Sequence, residues 1–196
     1  MITLKELPIE LQNEITVSSK KINILTNDIV VSVGDKMEYI PFVMEGNVRV
    51  YIENEDLNKE LLLYYVEGGH TCMMSIIAGL SDKISKVSAE AEMNSTLMLI
   101  PVNKIREWQL KYEKWNDLIM DLFVNRYYDL ISTIEELSFK KIEDRLLLYL
   151  KNYTDKSGYV VLNKTNKEVA KDIASSREVV SRTLKKLLND QKIRFK

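Results

Sequence analysis

The 36 residues from Asn103 to Ser138 contain neither Gly nor Pro, and this stretch limits the possible folds more than any other. Its apolar residues recur at intervals of three and four, which predicts one helix of roughly 45 Å or more at ~1.5 Å per residue. They form two stripes on the helix surface. The first contains Ile105, Trp108, Tyr112, Trp115, Ile119 and Leu122, and the second contains Phe123, Tyr127, Leu130, Ile134 and Leu137.

Two apolar stripes on one helix need two partners, because a lone surface helix hides only one. One stripe is expected to pack on the rest of the chain, and the other on a second copy as a parallel two-stranded coil. The alternative is a helix that is buried within one larger domain. The residues assigned to this dimer helix are Trp115, Ile119, Leu122, Tyr127, Leu130 and Ile134.

The chain before this helix, from about residue 15 to residue 102, predicts β structure. Short apolar runs such as "INIL", "DIVVSV", "NVRVYI" and "ELLLYYV" are separated by turn signals that include Asn27-Asp28, Gly34-Asp35 and Gly68-Gly69. The runs recur roughly every ten residues, a spacing typical of a barrel or sandwich. A short helix near Leu4 to Gln12 is also expected, although Pro8 is able to interrupt it.

Composition limits the class of protein. With 196 residues, of which 45% are hydrophobic, the chain suits one large domain or two small ones. No apolar run reaches the ~18 residues of a membrane span, and the N-terminus lacks the features of a secretory signal. The expectation is a soluble, cytoplasmic protein with no membrane partner.

Cysteine and histidine counts exclude several kinds of chemistry. The single cysteine, Cys72, excludes an internal disulfide, a four-cysteine iron–sulfur cluster and a zinc site built from thiolates within one chain. The sequence shows no nucleophile–base pair and has one histidine, His70, so we expect no enzyme and no metal site.

Charge is divided unevenly along the chain. Residues 139–196 contain 15 Lys and Arg against 7 Asp and Glu, a balance of +8, so the net charge of −1 leaves −9 for residues 1–138. A basic segment beside an acidic one indicates two domains, and it makes a polyanion a natural partner of the C-terminal one. The alternative is a chance surplus of lysines on solvated helices.

The basic segment contains two short helices that meet at a small-residue turn. Thr165 and Glu168 form the T-x-x-E pattern of a capping box, which begins the first helix at Asn166. Ala174-Ser175-Ser176 forms the turn, and the Ser176 hydroxyl is expected to cap the second helix. In that helix, inward positions are taken by Val180, Leu184 and Leu187, and the opposite face by Glu178, Ser181, Arg182 and Lys185, with Arg177 just ahead of them.

The chemistry of that outer face fits DNA. The first turns of a helix placed in the major groove meet base edges. Arg donates twice to guanine O6 and N7, and Glu accepts from cytosine N4. Ser, Thr and Lys at the rim are suited to phosphates. An ordinary amphipathic helix with a solvated charged face is the alternative that spacing alone leaves open.

The motif "SSREVVSRTLKKL" resembles the recognition-helix signature of the Crp/Fnr transcription regulators, S-R-E-x-V-x-R-x-L. "VSVGDKMEYIPFVMEGNVRVYIENEDLNKELLLYYVEGG" is similar to the glycine-punctuated β-roll of that family, and "SFKKIEDRLLLYL" to the start of its DNA-binding domain. The resemblance implies an α+β fold with an effector-sensing double-stranded β-helix over residues 1–102. A dimerisation helix over 103–138 and a winged helix-turn-helix over 139–196 would complete it.

The same resemblance implies roles for individual residues. Base reading falls to Arg177, Glu178 and Arg182. Phosphate contact or positioning falls to Thr165, Lys167, Ser176, Ser181 and Lys185. The implied partners are double-stranded DNA with a near-palindromic operator, a second copy of the chain and a small-molecule effector, with RNA polymerase as a further candidate.

Two features depart from the family pattern. The turn of the helix-turn-helix usually contains Gly where this chain has Ala174, so the bend is expected to form without the positive φ that Gly allows. The sequence closes on "QKIRFK", where the family normally completes a β-hairpin wing, so either the wing is minimal or the sequence stops short of it.

The segment from Gly68 to Glu92, here called the cassette, holds the place where family members bind a cyclic nucleotide. Met73 and Met74 stand where a Gly-Glu pair would contact the ribose, and Ser85-Lys86 stand near the arginine that pairs with the phosphate. Because Met offers no carboxylate and Lys only a point charge, cyclic-nucleotide binding is not expected. The candidate effector pocket is formed by His70, Cys72, Met73, Met74 and Lys86.

Two alternatives for this end of the molecule remain open. "HTCMMS" is similar to the haem-ligating loop of carbon-monoxide-sensing members, which would make Cys72 an iron ligand and the chain a gas or redox sensor. A lone cysteine after a strand is more often part of the core, so no cofactor is the primary expectation. The other alternative is a ligand-binding or interaction module that does not bind an operator.

Overall fold

The computed structural model describes residues 3–54, 59–81 and 84–196 and has the mixed α+β fold expected from the sequence. It divides into two compact units. Unit 1 consists of Met1–Ile52 and Leu63–Leu130, and unit 2 of Glu53–Leu62 and Ile131–Lys196. Unit 2 thus takes the distal part of a β-hairpin together with the C-terminal helices, a division that differs from the sequence-based domain bounds.

The N-terminal helix begins after Pro8, which serves as its N-cap, and not before it. A single 3-10 turn at Leu4–Glu6 precedes it, and the helix itself, α1, covers Ile9–Ser18. Proline lacks the N–H that an interior helical position needs, so the chain places it at the boundary. Leu11 and Ile15 point from α1 into the core.

Seven strands occur in residues 3–54, 59–81 and 84–196, and they form the roll. They are β1 Lys20–Ile24, β2 Ile29–Val31, β3 Tyr39–Glu45, β4 Asn47–Asn54, β5 Lys59–Glu67, β6 Ser88–Ala91 and β7 Ser95–Pro101. One sheet has the order β1-β7-β3 and the other β2-β6-β4-β5. An apolar cluster joins residues of both sheets, including Val43 and Leu97 from the first and Val48, Val50 and Val66 from the second.

The tight turn between β3 and β4 contains Gly46. Gly46 has φ +97°, and a Cβ added there would lie 2.8 Å from the Ser95 Cα atom. Gly is therefore needed both for the left-handed backbone and for the close approach of β7. The hydroxyl of Ser95 accepts the Asn47 N–H at 3.2 Å, which fixes the neighbouring strand.

The predicted long helix is wrong in one respect, because the chain breaks it at Tyr112. The two parts are α3, Val102–Lys111, and α4, Glu113–Phe139. Tyr112 is extended, with φ −125° and ψ 109°. The Glu14 carboxylate of α1 accepts hydrogen bonds from Trp108 Nε1 and the Tyr112 hydroxyl, both at 2.8 Å. These bonds place an acceptor at the break that no local helix pattern reveals.

The first apolar stripe packs on the roll as expected. Trp108 and Trp115 are fully buried, with ring centroids 5.2 Å apart in an edge-to-face arrangement. Trp115, Ile119 and Leu122, which the sequence assigned to the dimer helix, lie in this core and are at most 7% exposed. That assignment is corrected, because these three side chains are already covered within unit 1.

The second stripe is exposed on α4, but its position is shifted from the predicted one. Tyr127 and Ile134 are 60% and 57% exposed, whereas Leu130 is half-buried. Five of the exposed apolar residues of the helix lie along one line: Met120, Val124, Tyr127, Ile131 and Ile134. They follow one another at intervals of four, three, four and three residues. That alternation is the a/d spacing of a coiled coil.

Unit 2 is built on three helices: α5 Ile142–Lys151, α6 Asn166–Asp172 and α7 Arg177–Asn189. Their apolar faces meet in one cluster that includes Leu146, Leu150, Val169, Val180 and Leu187. The distal hairpin residues belong to the same unit, where Leu61 forms an antiparallel bridge with Ile173 and Glu60 an ion pair with Lys171.

The wing that the resemblance implies is reduced to single bridges around Val160. Val160 pairs with Thr154 on one side and with Phe195 on the other. The Val160 N–H donates to the Arg194 carbonyl at 2.7 Å. Across residues 84–196 the structure shows no two-stranded wing. Among the described helices, none is long and apolar enough to cross a bilayer.

Glu143 of α5 joins the ends of unit 2 through two lysines. Its carboxylate pairs with Lys192 Nζ at 2.7 Å and with Lys186, and these hydrogen bonds lower its pKa from 4.5 to about 2. A lowered folded-state pKa means that the stabilisation is present above pH 4.5 and is lost as the pH falls towards 2.

Glu143→Gln is therefore expected to lose this stabilisation above pH 4.5 and to approach the wild type as the pH falls towards 2, so the acid limb of stability flattens. Urea unfolding at a series of pH values measures this. Glu107→Gln, which removes an exposed ion pair on α3, is the matched control and should keep the wild-type limb. An unchanged acid limb in Glu143→Gln would contradict the assignment.

Candidate nucleic-acid interface and sensing cassette

The capping box predicted at the start of α6 is present. The Thr165 side chain accepts the Glu168 N–H at 3.3 Å, and the Thr165 N–H donates to the Glu168 carboxylate at 2.6 Å. These two bonds satisfy backbone donors that a helix start leaves free. Asn166 then donates from Nδ2 to the Ser181 hydroxyl at 2.8 Å, which ties the start of α6 to the middle of α7.

The turn between α6 and α7 uses the left-handed backbone that the sequence analysis did not expect. Ala174 has φ +49°, so the prediction of a bend without positive φ is wrong. The Ser175 N–H donates to the Ala170 carbonyl at 2.8 Å, and the Ala174 N–H donates to the Lys171 carbonyl at 3.1 Å. These bonds hold the turn in a conformation that costs an alanine about 1–2 kcal/mol.

Ala174→Gly is accordingly expected to stabilise the chain. Relief of the left-handed strain exceeds the entropy that glycine adds to the unfolded chain, and a net gain of roughly 0.5–1 kcal/mol follows. Chemical denaturation measures the free energy of unfolding. Ala170→Gly, in the interior of α6, is the control and should lose stability, because glycine is unfavourable inside a helix. Loss of stability in Ala174→Gly would show that the methyl group matters more than the backbone.

The second helix, α7, has the two faces that its sequence predicts. Val180, Leu184 and Leu187 are buried in the core of unit 2, together with Thr183. The predicted base-reading residues Arg177, Glu178 and Arg182 are exposed, as is Lys185, while Ser181 is half-buried.

The N-terminal end of α7 is fixed and charged. The Ser176 hydroxyl accepts the Val179 N–H at 3.3 Å, as expected of an N-cap. The pKa of Glu178 is lowered by its own backbone N–H and by the Ser176 side chain, so the carboxylate is ionised at neutral pH. A carboxylate and two guanidinium groups therefore occupy one exposed end of a rigid helix, with Thr165 and Lys167 also exposed on α6.

The structure contains a buried polar network between α5 and α6 that the sequence did not predict. Asp172 is 5% exposed and accepts from the Tyr149 hydroxyl at 2.7 Å and from Lys164 Nζ at 3.0 Å. The Tyr149 hydroxyl also lies 3.3 Å from that of Tyr153. Because a buried carboxylate needs such partners, the network fixes α6 against α5. Residues 23 positions apart carry no local signal for this contact.

In unit 1 the cassette forms helix α2, Met73–Leu80, directly after Cys72. Cys72 and Met73 are buried, at 5% and 7% exposed, and belong to the apolar cores. Met74 is half-buried, and Lys86 is exposed to solvent. Ser85 is fully buried, but its hydroxyl donates to the Val87 carbonyl at 2.7 Å. Lys86 therefore does not join the other predicted pocket residues in the interior.

His70 lies in the turn before the cassette helix with its backbone held on both sides. Its N–H donates to the Glu67 carbonyl at 3.2 Å, and its carbonyl accepts the Val43 N–H at 2.8 Å. Burial and the charge of Arg126 lower the pKa of its imidazole, so the neutral form is favoured. Among the described residues, its Nε2 atom has no hydrogen-bond partner.

The interior of the roll beside the cassette is almost filled. The cavity lined by Val43, Val48, Cys72, Ser75 and Leu97 has a volume of about 10 Å³. That is the size of one water molecule and far below the ~300 Å³ of a small-molecule pocket. No group of three or more metal-ligating side chains occurs in residues 3–54, 59–81 and 84–196.

Comparison with known proteins agrees with this architecture. Residues 21–112 match the family model of the cyclic nucleotide-binding domain. A search of the curated proteins found no match. Among solved structures, the c-di-GMP-responsive global regulator CLP of Xanthomonas campestris is similar with a TM-score of 0.81 and 20% identity, over 92% of this chain and 91% of that one.

Two further structures share the fold. A protein of Eubacterium rectale described as a transcriptional regulator of the Crp/Fnr family has a TM-score of 0.82 and 21% identity, over 95% of this chain and 86% of that one. CooA of Carboxydothermus hydrogenoformans, a CO-dependent transcription factor, has a TM-score of 0.70 and 17% identity, over 96% and 88%. These likenesses confirm the fold that the sequence resemblance implied.

Proposed function

We propose that this chain, which carries a cyclic nucleotide-binding domain and has the fold of the Crp/Fnr transcription regulators, is a homodimeric regulator that binds DNA sequence-specifically. The observation that carries the proposal is the separation of apolar and charged side chains onto opposite faces of α7. Its apolar residues are buried in unit 2, while Arg177, Glu178 and Arg182 are exposed on its first turns. This arrangement presents two bidentate donors and one carboxylate acceptor to a groove.

Each exposed group has a distinct role in the proposed reading. Arg177 and Arg182 donate to guanine, and the ionised Glu178 accepts from the amino group of cytosine. Thr165, Lys167, Ser176 and Lys185 contact phosphates and set the register. Ser181 contributes through its hydrogen bond with Asn166, so it positions α7 and has less freedom to reach the DNA.

The second copy of the chain is expected to pack on the exposed a/d stripe of α4. Met120, Val124, Tyr127, Ile131 and Ile134 are between 37% and 64% exposed on one helix. Such a stripe is unfavourable in water and is self-complementary across a two-fold axis. Two recognition helices related by that axis would meet successive major grooves about 34 Å apart, and the operator would be a near-palindrome.

The effector is proposed to differ from a cyclic nucleotide. The cassette offers Met73 and Met74 where a carboxylate would be needed, Lys86 is exposed, and the cavity beside Cys72 holds about 10 Å³. Haem stays a second proposal for the effector, with Cys72 as its ligand. The burial of Cys72 and its hydrogen bond with Tyr64 support a packing role instead. A Soret band that is lost in Cys72→Ala would establish haem.

Selection from a random DNA pool tests the proposal directly. The expected result is an enriched near-palindrome that the protein retards with a salt-dependent affinity. RNA polymerase recruitment and the direction of regulation can then be measured on that operator. If no sequence is enriched even at low salt, the proposal of sequence-specific DNA binding is wrong and the chain is an interaction module.

A further inference from the structure

Tyr64 of β5 fills the interior of the roll and meets the cassette with its hydroxyl. The residue is 6% exposed and packs in the cluster that contains Val66 and Cys72. Its hydroxyl lies 3.4 Å from the Sγ atom of Cys72, which is the N-cap of α2. Met74 is in the first turn of α2, where a helix has N–H groups without intrahelical partners. The phenol therefore meets the cassette at the residue that precedes its helix.

The face of the same ring carries a cation from α4. The Arg126 guanidinium carbon lies 4.5 Å from the centre of the Tyr64 ring, and Arg126 Nη1 donates to Asp129 at 2.8 Å. Arg126 is 6% exposed, and a cation over an aromatic ring is held more strongly when it is desolvated. One side chain thus touches the cassette helix through its oxygen and the long helix through its ring.

We propose that Tyr64 replaces the bound effector of a regulator of this fold. It holds the cassette closed and in contact with α4, so operator binding needs no cyclic nucleotide. This inference rests on the proposed function. A ligand shifts such an equilibrium only by contacts that differ between two states. A side chain that makes those contacts permanently keeps one state populated. The tie comprises Tyr64, Cys72 and Arg126.

The remaining space and chemistry agree with a permanent tie. The cavity beside Cys72 and Ser75 holds about 10 Å³, so this part of the roll accepts a water molecule but not a nucleotide. Burial raises the pKa of Tyr64, so its hydroxyl stays neutral at physiological pH. A neutral hydroxyl can donate to the Cys72 sulfur.

The test compares Tyr64→Phe with Tyr39→Phe in the full-length chain. Tyr64→Phe removes the hydroxyl and keeps the ring over which Arg126 lies. Tyr39→Phe makes the same change on β3, where the residue is 48% exposed. Operator affinity is measured by fluorescence anisotropy on the selected DNA, without ligand and with cAMP, cGMP or c-di-GMP. Hydrogen exchange of the Met74 amide reports the cassette itself, and thermal unfolding reports the fold.

The expected result is full wild-type affinity without ligand and no response to the three nucleotides. Tyr64→Phe should expose the Met74 amide to exchange and weaken operator binding by roughly tenfold, a common size for coupling between sites. Tyr39→Phe should leave both unchanged. The tie is overturned if a cyclic nucleotide raises wild-type affinity tenfold or more, or if Tyr64→Phe keeps both wild-type affinity and a protected Met74 amide.

Failure of the tie can be told apart from failure of the proposed function. If the wild-type chain retards no DNA, the proposed function is wrong, and the inference that depends on it is overturned with it. If the wild type binds its operator and Tyr64→Phe binds equally with unchanged exchange, the function stands and the tie alone is wrong. Arg126→Gln adds an independent arm, in which weaker operator binding is expected with the Met74 amide still protected.

Discussion

Arg182→Ala is expected to weaken binding to the selected operator by at least about thirtyfold while leaving binding to random DNA within a few-fold of wild type. The exposed guanidinium is placed for a bidentate contact with guanine, worth about 1–3 kcal/mol of discrimination. A dimer makes this contact twice, so the loss approaches roughly 2–6 kcal/mol. Competition binding with operator and random duplexes at one fixed salt concentration measures both terms.

Two further variants distinguish base recognition from the non-specific electrostatic attraction between protein and DNA. Arg182→Lys keeps the positive charge but loses the planar fork, so it should discriminate as poorly as alanine while binding random DNA like wild type. Lys185→Ala, one turn further along the exposed face, should weaken binding to all sequences about equally and reduce the salt slope by about one for each half-site. If Arg182→Ala keeps its preference for the operator, base reading lies elsewhere.

The two faces of α7 could be predicted because the signal is local. Val180, Leu184 and Leu187 repeat at helical spacing, and that spacing alone places Arg182 on the opposite side. The capping box of Thr165 and Glu168 is local in the same way. Where structure depends on four neighbouring residues and elementary backbone chemistry, the sequence is sufficient to place the side chains.

Contacts between distant residues could not be predicted in this way. The break at Tyr112 is accompanied by hydrogen bonds to Glu14, which is 98 positions away in the chain. The contact between Tyr64 and Arg126 joins a strand to a helix that follows it by 62 positions. Ala174 shows a different limit, because hydrogen bonds within the turn hold it at a φ that alanine by itself disfavours.

The stripe on α4 lies between these cases. Both apolar stripes were visible in the sequence. The packing of Trp108 against Trp115 in the core fixes which face of the helix is turned towards the roll. That orientation buries Leu122 and leaves Val124 and Ile131 exposed beside Tyr127. Periodicity predicts that two faces exist, and packing against a partner decides which residues belong to each.

The largest effect on assembly is expected from Ile131→Glu. In a parallel two-fold pair, residue 131 at an a position faces its own copy, so the change places two carboxylates against each other and removes a buried contact. Like charges brought together in an interface cost several kcal/mol, which should raise the dimer dissociation constant by a hundredfold or more. Sedimentation equilibrium measures that constant, and circular dichroism shows whether the helices are retained.

Operator binding should collapse in parallel, because a monomer presents one recognition helix and loses the contacts of the second half-site. Ser132→Glu is the matched control: it adds the same charge one residue along, at an exposed position outside the stripe, and should dimerise and bind as wild type does. If Ile131→Glu stays dimeric, the second copy uses another face of the chain. Restored affinity at high protein concentration would show that the loss comes from assembly and not from damage to α7.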